Sequence, residues 1–231
     1  MMNSERKIKI AHYGSHLEAK NAGDTLLFQL VRDLFDSEIY QNIDWSLKQI
    51  WDEVTEDEID EINRDYDAII IGGGGVFLKD QKGSDASNSG WQWNCSLNLI
   101  KKIKVPIIMF AVGYNRFRGQ SDFNDNFSKT VSEISRISPF FSLRNQGSIE
   151  SIKQYIPDSI SSTANILRQF CPTTVIDKIP KYQRRLEKNH INKGKRTLSF
   201  NAAFDRPDMR SHNPDNMYDK TCLAMKEAEK R

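Results

Sequence analysis

Apolar and polar positions switch between two periods along the chain. Residues 7–13 alternate charged and apolar side chains, beginning Lys7, Ile8, Lys9, Ile10, and predict a first β-strand. A polar loop over 14–23 follows. Leu26, Leu27, Leu30, Val31, Leu34 and Phe35 then recur at the spacing of a single helix face. Residues 38–47 are ambiguous, with room for a short strand. Thr55 with Glu58 three positions later forms a capping-box pattern ahead of a short acidic helix ending near Asn63. The run 67–71, apolar after Asp67, and the apolar run 105–112 predict buried strands, each leading into glycine. Between them, 79–88 reads as a long loop rich in Ser, Gly, Asp and Asn, and 97–103 as the end of a helix. Helices are predicted over 123–137 and 145–155, with a strand over 139–143.

Buried strands alternating with helices define an α/β fold, a Rossmann-like doubly wound parallel sheet with helices on both faces. Such sheets bind ligands beyond the carboxyl ends of their strands. Residues 14–24, 72–75, 113–118 and 144–145, all polar or glycine-rich, fall at those ends and mark a candidate site. The character changes after Cys171. Residues 177–196 hold eight Lys or Arg and two Asp or Glu, which reads as an exposed linker, with an anion-binding patch as the functional alternative. A strand over 196–204 and a helix over 214–230 then predict a second Rossmann-like domain. One strand and one helix bury no core of their own. The expected organisation is therefore a first domain over 1–176, a basic linker over 177–195 and an incomplete second domain over 196–231.

Composition narrows the function classes. The 33 Lys and Arg against 31 Asp and Glu leave a net charge of +2, far from the basic balance of a nucleic-acid binder. A mean hydropathy of −0.61 is on the polar side, yet 10% aromatic residues argue for a folded core. No apolar run approaches the roughly 20 residues of a membrane span, and the first ten residues have no apolar signal core. Cys95, Cys171 and Cys222 are scattered and odd in number, which fits neither a disulfide framework nor a metal site. A cytoplasmic location is expected, with no metal and no cofactor.

Several residues carry candidate chemistry. Asn21, Gly23 and Asp24 precede the first helix, with Asp24 expected as its N-cap and the loop as a pocket wall. Gly72 to Gly75 follow a strand and can present backbone amides to an anion. They match neither a dinucleotide fingerprint nor a P-loop, having no following Lys and Ser/Thr. Trp91 and Trp93 could stack on sugar rings or pack the next helix onto the sheet. Asn115, Arg116 and Arg118 lie in a strand-end loop, and Arg144 ends another strand just before a helix, where a guanidinium suits phosphate or carboxylate. Of His12, His16, His190 and His212, no pair has metal-ligand spacing; His12 and His16 could serve as acid–base groups or be structural.

Taken in order, these segments resemble the polysaccharide pyruvyl transferase family. The resemblance rests on Tyr13-Gly14, Asn21-Ala22-Gly23-Asp24 with Leu26-Leu27, and Tyr66 through Gly75. It continues through Pro106 to Gly119, Ser142-Leu143-Arg144 with Ser148, Cys171-Pro172-Thr173, and Asn201 to Arg206. It implies two Rossmann-like domains facing a cleft, a GT-B-like arrangement. It also implies transfer of a pyruvyl group from phosphoenolpyruvate, as donor substrate, to a sugar or lipid-linked glycan of a surface polysaccharide. The family's catalytic histidine lies in the second domain, so this chain, stopping at Arg231, is expected to be incomplete for catalysis. Expected substrate contacts are Asn21, Gly23, Asp24, Gly73, Gly74, Gly75, Asn115, Arg118 and Arg144. The competing readings are a nucleotide-sugar glycosyltransferase of the same architecture, or a non-catalytic truncated binding domain; a homo-oligomer stays open.

Overall fold

Six strands lie parallel in one sheet, in the order β2-β1-β3-β4-β5-β6. They are β1 (Ile8–Gly14), β2 (Ile43–Gln49), β3 (Ala68–Phe77), β4 (Ile107–Tyr114), β5 (Phe140–Leu143) and β6 (Ile166–Arg168). The structure, a computed structural model, describes residues 6–15, 22–79, 87–117, 119–183 and 211–229. The connecting helices are α1 (Ala22–Leu34), α2 (Glu56–Asp65), α3 (Leu97–Ile100), α4 (Asp125–Ile137), α5 (Gln146–Lys153) and α6 (Asp158–Ser161). The strand order reverses between β1 and β3, the switch point at which doubly wound sheets open a crevice.

Alternation along the strands, broken at a bulge in β4, sorts the core into two layers. Ile69, Ile71, Met109, Phe141 and Leu143 face one side, where Ile59 and Ile62 of α2, Phe127 and Val131 of α4 and Ile149 of α5 cover them. Ile10, Ala68, Ile70 and Phe110 face the other, beneath Val31 of α1 and Phe35. The helix ends follow local chemistry. Thr55, Asn124 and Asn145 cap α2, α4 and α5, each side chain accepting a backbone N–H three residues on. The N-cap half of the capping box read at Thr55 is therefore present, while the Glu58 carboxylate accepts from Tyr13 Oη and pairs with Lys48. A π-helical turn, Phe35–Ile39, occupies the start of the ambiguous stretch, and β2 begins only at Ile43.

The chain separates into two compact units, residues 1–115 with 122–183, and 116–121 with 184–231. This moves the expected boundary. Residues 177–183, read as exposed linker, belong to the sheet unit: Ile179 and Tyr182 are buried with Leu30. In the second unit, helix α7 (Pro214–Glu229) is present with Leu223 and Met225 exposed, and the strand expected over 196–204 lies outside the described residues.

Asp33 ties the 177–183 segment to α1. It accepts from Tyr182 Oη at 2.6 Å, Lys181 Nζ at 3.0 Å and Gln29 Nε2 at 2.9 Å. Burial opposes its ionised form, but these hydrogen bonds and the Lys181 charge hold its carboxyl below the usual range. A lowered carboxyl pKa stabilises the fold above the unfolded value of about 4, and that stability is lost as pH falls through the folded value. Asp33→Asn should therefore cost about 1–2 kcal/mol at pH 7 and much less near pH 3. Urea titrations at the two pH values check this; an equal cost at both would contradict it.

Candidate functional site

The glycine run is part of the sheet. Strand β3 continues through it, pairing Gly72 with Phe110, Gly74 with Val112 and Phe77 with Tyr114. The expected strand end at Ile71 is thus corrected, because glycines let neighbouring backbones approach where a side chain would collide. Gly73, at φ +88°, faces the body of α1 at Leu27, Phe28 and Val31, so it serves helix packing.

Gly75 marks the point where the run reaches the site. A Cβ there would strike the Asn115 amide and approach Arg144 Nη2. Asn115 donates through Nδ2 to Gly75 O at 3.3 Å, and its Oδ1 accepts from Arg144 Nη2 at 3.1 Å. The Arg144 backbone N–H donates to Val112 O at 2.9 Å. Its guanidinium lies against Gly113, where a Cβ would sit only 2.5 Å from Cζ. Arg144 thus extends from the end of β5 across β4 to β3, in a channel that glycines on both strands keep open.

Arg144 is half-buried, and among the described residues it has no carboxylate partner. An arginine held by an amide keeps its full charge and part of its donor fork for a ligand. Helix α5 starts two residues later, and the positive end of its dipole adds to the same field. The arrangement is suited to binding phosphate or carboxylate.

Of the expected contacts, the fold therefore brings Gly75, Asn115 and Arg144 together. Gly74 lies in the ladder opposite Val112. Gly23 and Asp24 sit in the first turn of α1, which begins at Ala22. Asp24 is consequently not the N-cap; its carboxylate complements the helix dipole from inside the first turn. Asn21 and Arg118 lie outside the described residues, as do His16 and His190.

The remaining candidates resolve toward structure. Trp91 and Trp93 are fully buried and meet each other, Phe77 and Tyr13 edge-on, so they pack the core and offer no stacking surface. His12 is fully buried, stacked 4.0 Å from the Phe28 ring, with Nε2 3.2 Å from Gly72 O. His212 is exposed in the second unit.

Sequence reasoning missed a concavity elsewhere on the sheet unit. A cavity of about 500 Å³ opens beside the carboxyl ends of β1 and β2, lined by Tyr13, Lys48, Asp52, Asp57 and Glu58 among others. Glu58 accepts from Tyr13 Oη at 2.9 Å and pairs with Lys48 Nζ at 3.2 Å. Burial, then the Glu58 charge, push the Tyr13 phenol well above its ordinary value. The run Glu56-Asp57-Glu58 was its signal, absorbed by the capping reading. No cluster of His, Cys, Asp and Glu among the described residues could hold a metal ion. No described helix is long and apolar enough to cross a membrane.

Comparison with known proteins gives the family. No curated protein and no solved structure matches the chain. The family model for polysaccharide pyruvyl transferase matches residues 21–221, a span that includes the glycine strand, Asn115 and Arg144. With that match over most of its length, the chain belongs to the polysaccharide pyruvyl transferase family.

Proposed function

We propose that this chain binds phosphoenolpyruvate at Arg144 for pyruvyl transfer to a sugar of a surface polysaccharide. The observation that carries the reading is the half-buried Arg144 guanidinium, held by Asn115 in a glycine channel with no described carboxylate partner. Phosphoenolpyruvate bears a phosphate and a carboxylate, both matched to an arginine fork and a helix N-terminus. In ketal formation the enol methylene gains a proton, a sugar hydroxyl adds at the adjacent carbon, and a second hydroxyl displaces inorganic phosphate. We assign the described residues binding and orientation in this sequence: Arg144 for the donor anion, Asn115 for the guanidinium.

Calorimetric titration with phosphoenolpyruvate tests the proposal. Saturable binding, weakened by salt and displaced by inorganic phosphate, is expected. Binding of a nucleotide sugar in its place would turn the reading toward a glycosyltransferase, and binding of neither toward a non-catalytic domain.

A further inference from the structure

Strand β4 carries one residue too many beneath the Arg144 channel. Met109 pairs with Phe141 and Val112 with Leu143, so two residues, Phe110 and Ala111, oppose the single Ser142. Phe110 and Ala111 consequently face the same layer of the core. Ala111 sits at φ +49°, left-handed backbone that an alanine adopts only under constraint. Ser142 supplies that constraint. It is fully buried, and its Oγ accepts the Ala111 N–H at 2.9 Å. Its single hydroxyl proton is directed at Met109 O, 3.1 Å away, or at Gln169 Oε1. One residue past the bulge, Val112 O receives the Arg144 N–H, and Gly113 forms the floor under its guanidinium.

We propose that Ser142 is a positioning residue: by fixing the strained Ala111 bulge it sets where Arg144 presents its guanidinium. The proposal rests on the reading of Arg144 as the donor-anion contact, and it deepens that reading. Without the Ser142 hydroxyl, Ala111 relaxes toward extended backbone, and the Val112 and Gly113 supports move with it. Glycine at 111 adopts the left-handed conformation without penalty, so the bulge then no longer needs Ser142.

The test is made on the full chain with two readouts. The first needs no ligand: the Arg144 Nε–Hε resonance of the free protein. Ser142→Ala should shift it, and adding Ala111→Gly should return it toward the wild-type position. The second is phosphoenolpyruvate affinity, expected to fall about 5- to 10-fold in Ser142→Ala, the worth of one buried hydrogen bond, and to recover in the double variant. A purely structural Ser142 would lower the melting temperature of Ser142→Ala while leaving the resonance and the affinity unchanged, and that result overturns the proposal. If the wild-type chain binds no phosphoenolpyruvate, the donor reading fails, and the resonance shift and its reversal still decide the role of Ser142. Should Ser142→Ala fail to fold, Ser142→Cys, which retains a weak donor and acceptor, takes its place with the same expected direction.

Discussion

Arg144→Ala should weaken phosphoenolpyruvate binding by about 10- to 100-fold, the range expected for losing charge-assisted hydrogen bonds to an anion. The melting temperature should hardly change. The guanidinium bonds to Asn115 but neutralises no carboxylate among the described residues, so its removal strands no buried charge. Arg144→Lys should recover only part of the affinity, because an ammonium restores the charge but not the planar fork. Calorimetry on the three proteins checks this ordering. Equal affinities for wild type and Arg144→Ala would remove Arg144 from the site.

Gly72→Ala should destabilise the sheet unit by about 3 kcal/mol, the upper end of the usual range for overpacking a core position. The added methyl would land on the Phe110 carbonyl, its ladder neighbour in the centre of the sheet. A backbone atom held on both sides by strands cannot yield as a side-chain tip can. Gly147→Ala is the matched control. Its methyl meets nothing closer than Asn145 Oδ1 at 3.6 Å, inside helix α5. There alanine is favoured over glycine by about 0.5–1 kcal/mol. Chemical denaturation of both variants separates the cases. A Gly72→Ala protein as stable as wild type would contradict the β3–β4 register.

The legible parts of the fold were those in which local chemistry and tertiary packing agree. Thr55 and the apolar face of α1 act locally and can be read directly. Strand β3 was read too short because glycine signals a turn in isolation; its role here is the close approach of β4 and α1. Strand β6 was missed: three residues, Ile166–Arg168, show no period, and only pairing with β5 defines them. Residues 177–183 were read as linker from their charge, while Ile179 and Tyr182 supplied the packing that charge concealed. Arg144 stands out in the sequence because an arginine at a strand end just before a helix is hard to explain by packing alone. Ser142 and Ala111 do not, since neither the bulge nor the left-handed backbone leaves a mark in residue type.

On the proposed function, the Arg144 guanidinium is the contact for the donor anion. The most direct test is an arginine Nε–Hε spectrum of the chain titrated with phosphoenolpyruvate. A saturable shift of the Arg144 resonance is expected, absent with a nucleotide sugar and reversed by excess inorganic phosphate. Saturation of binding with the Arg144 resonance unmoved, while another arginine shifts, would contradict it.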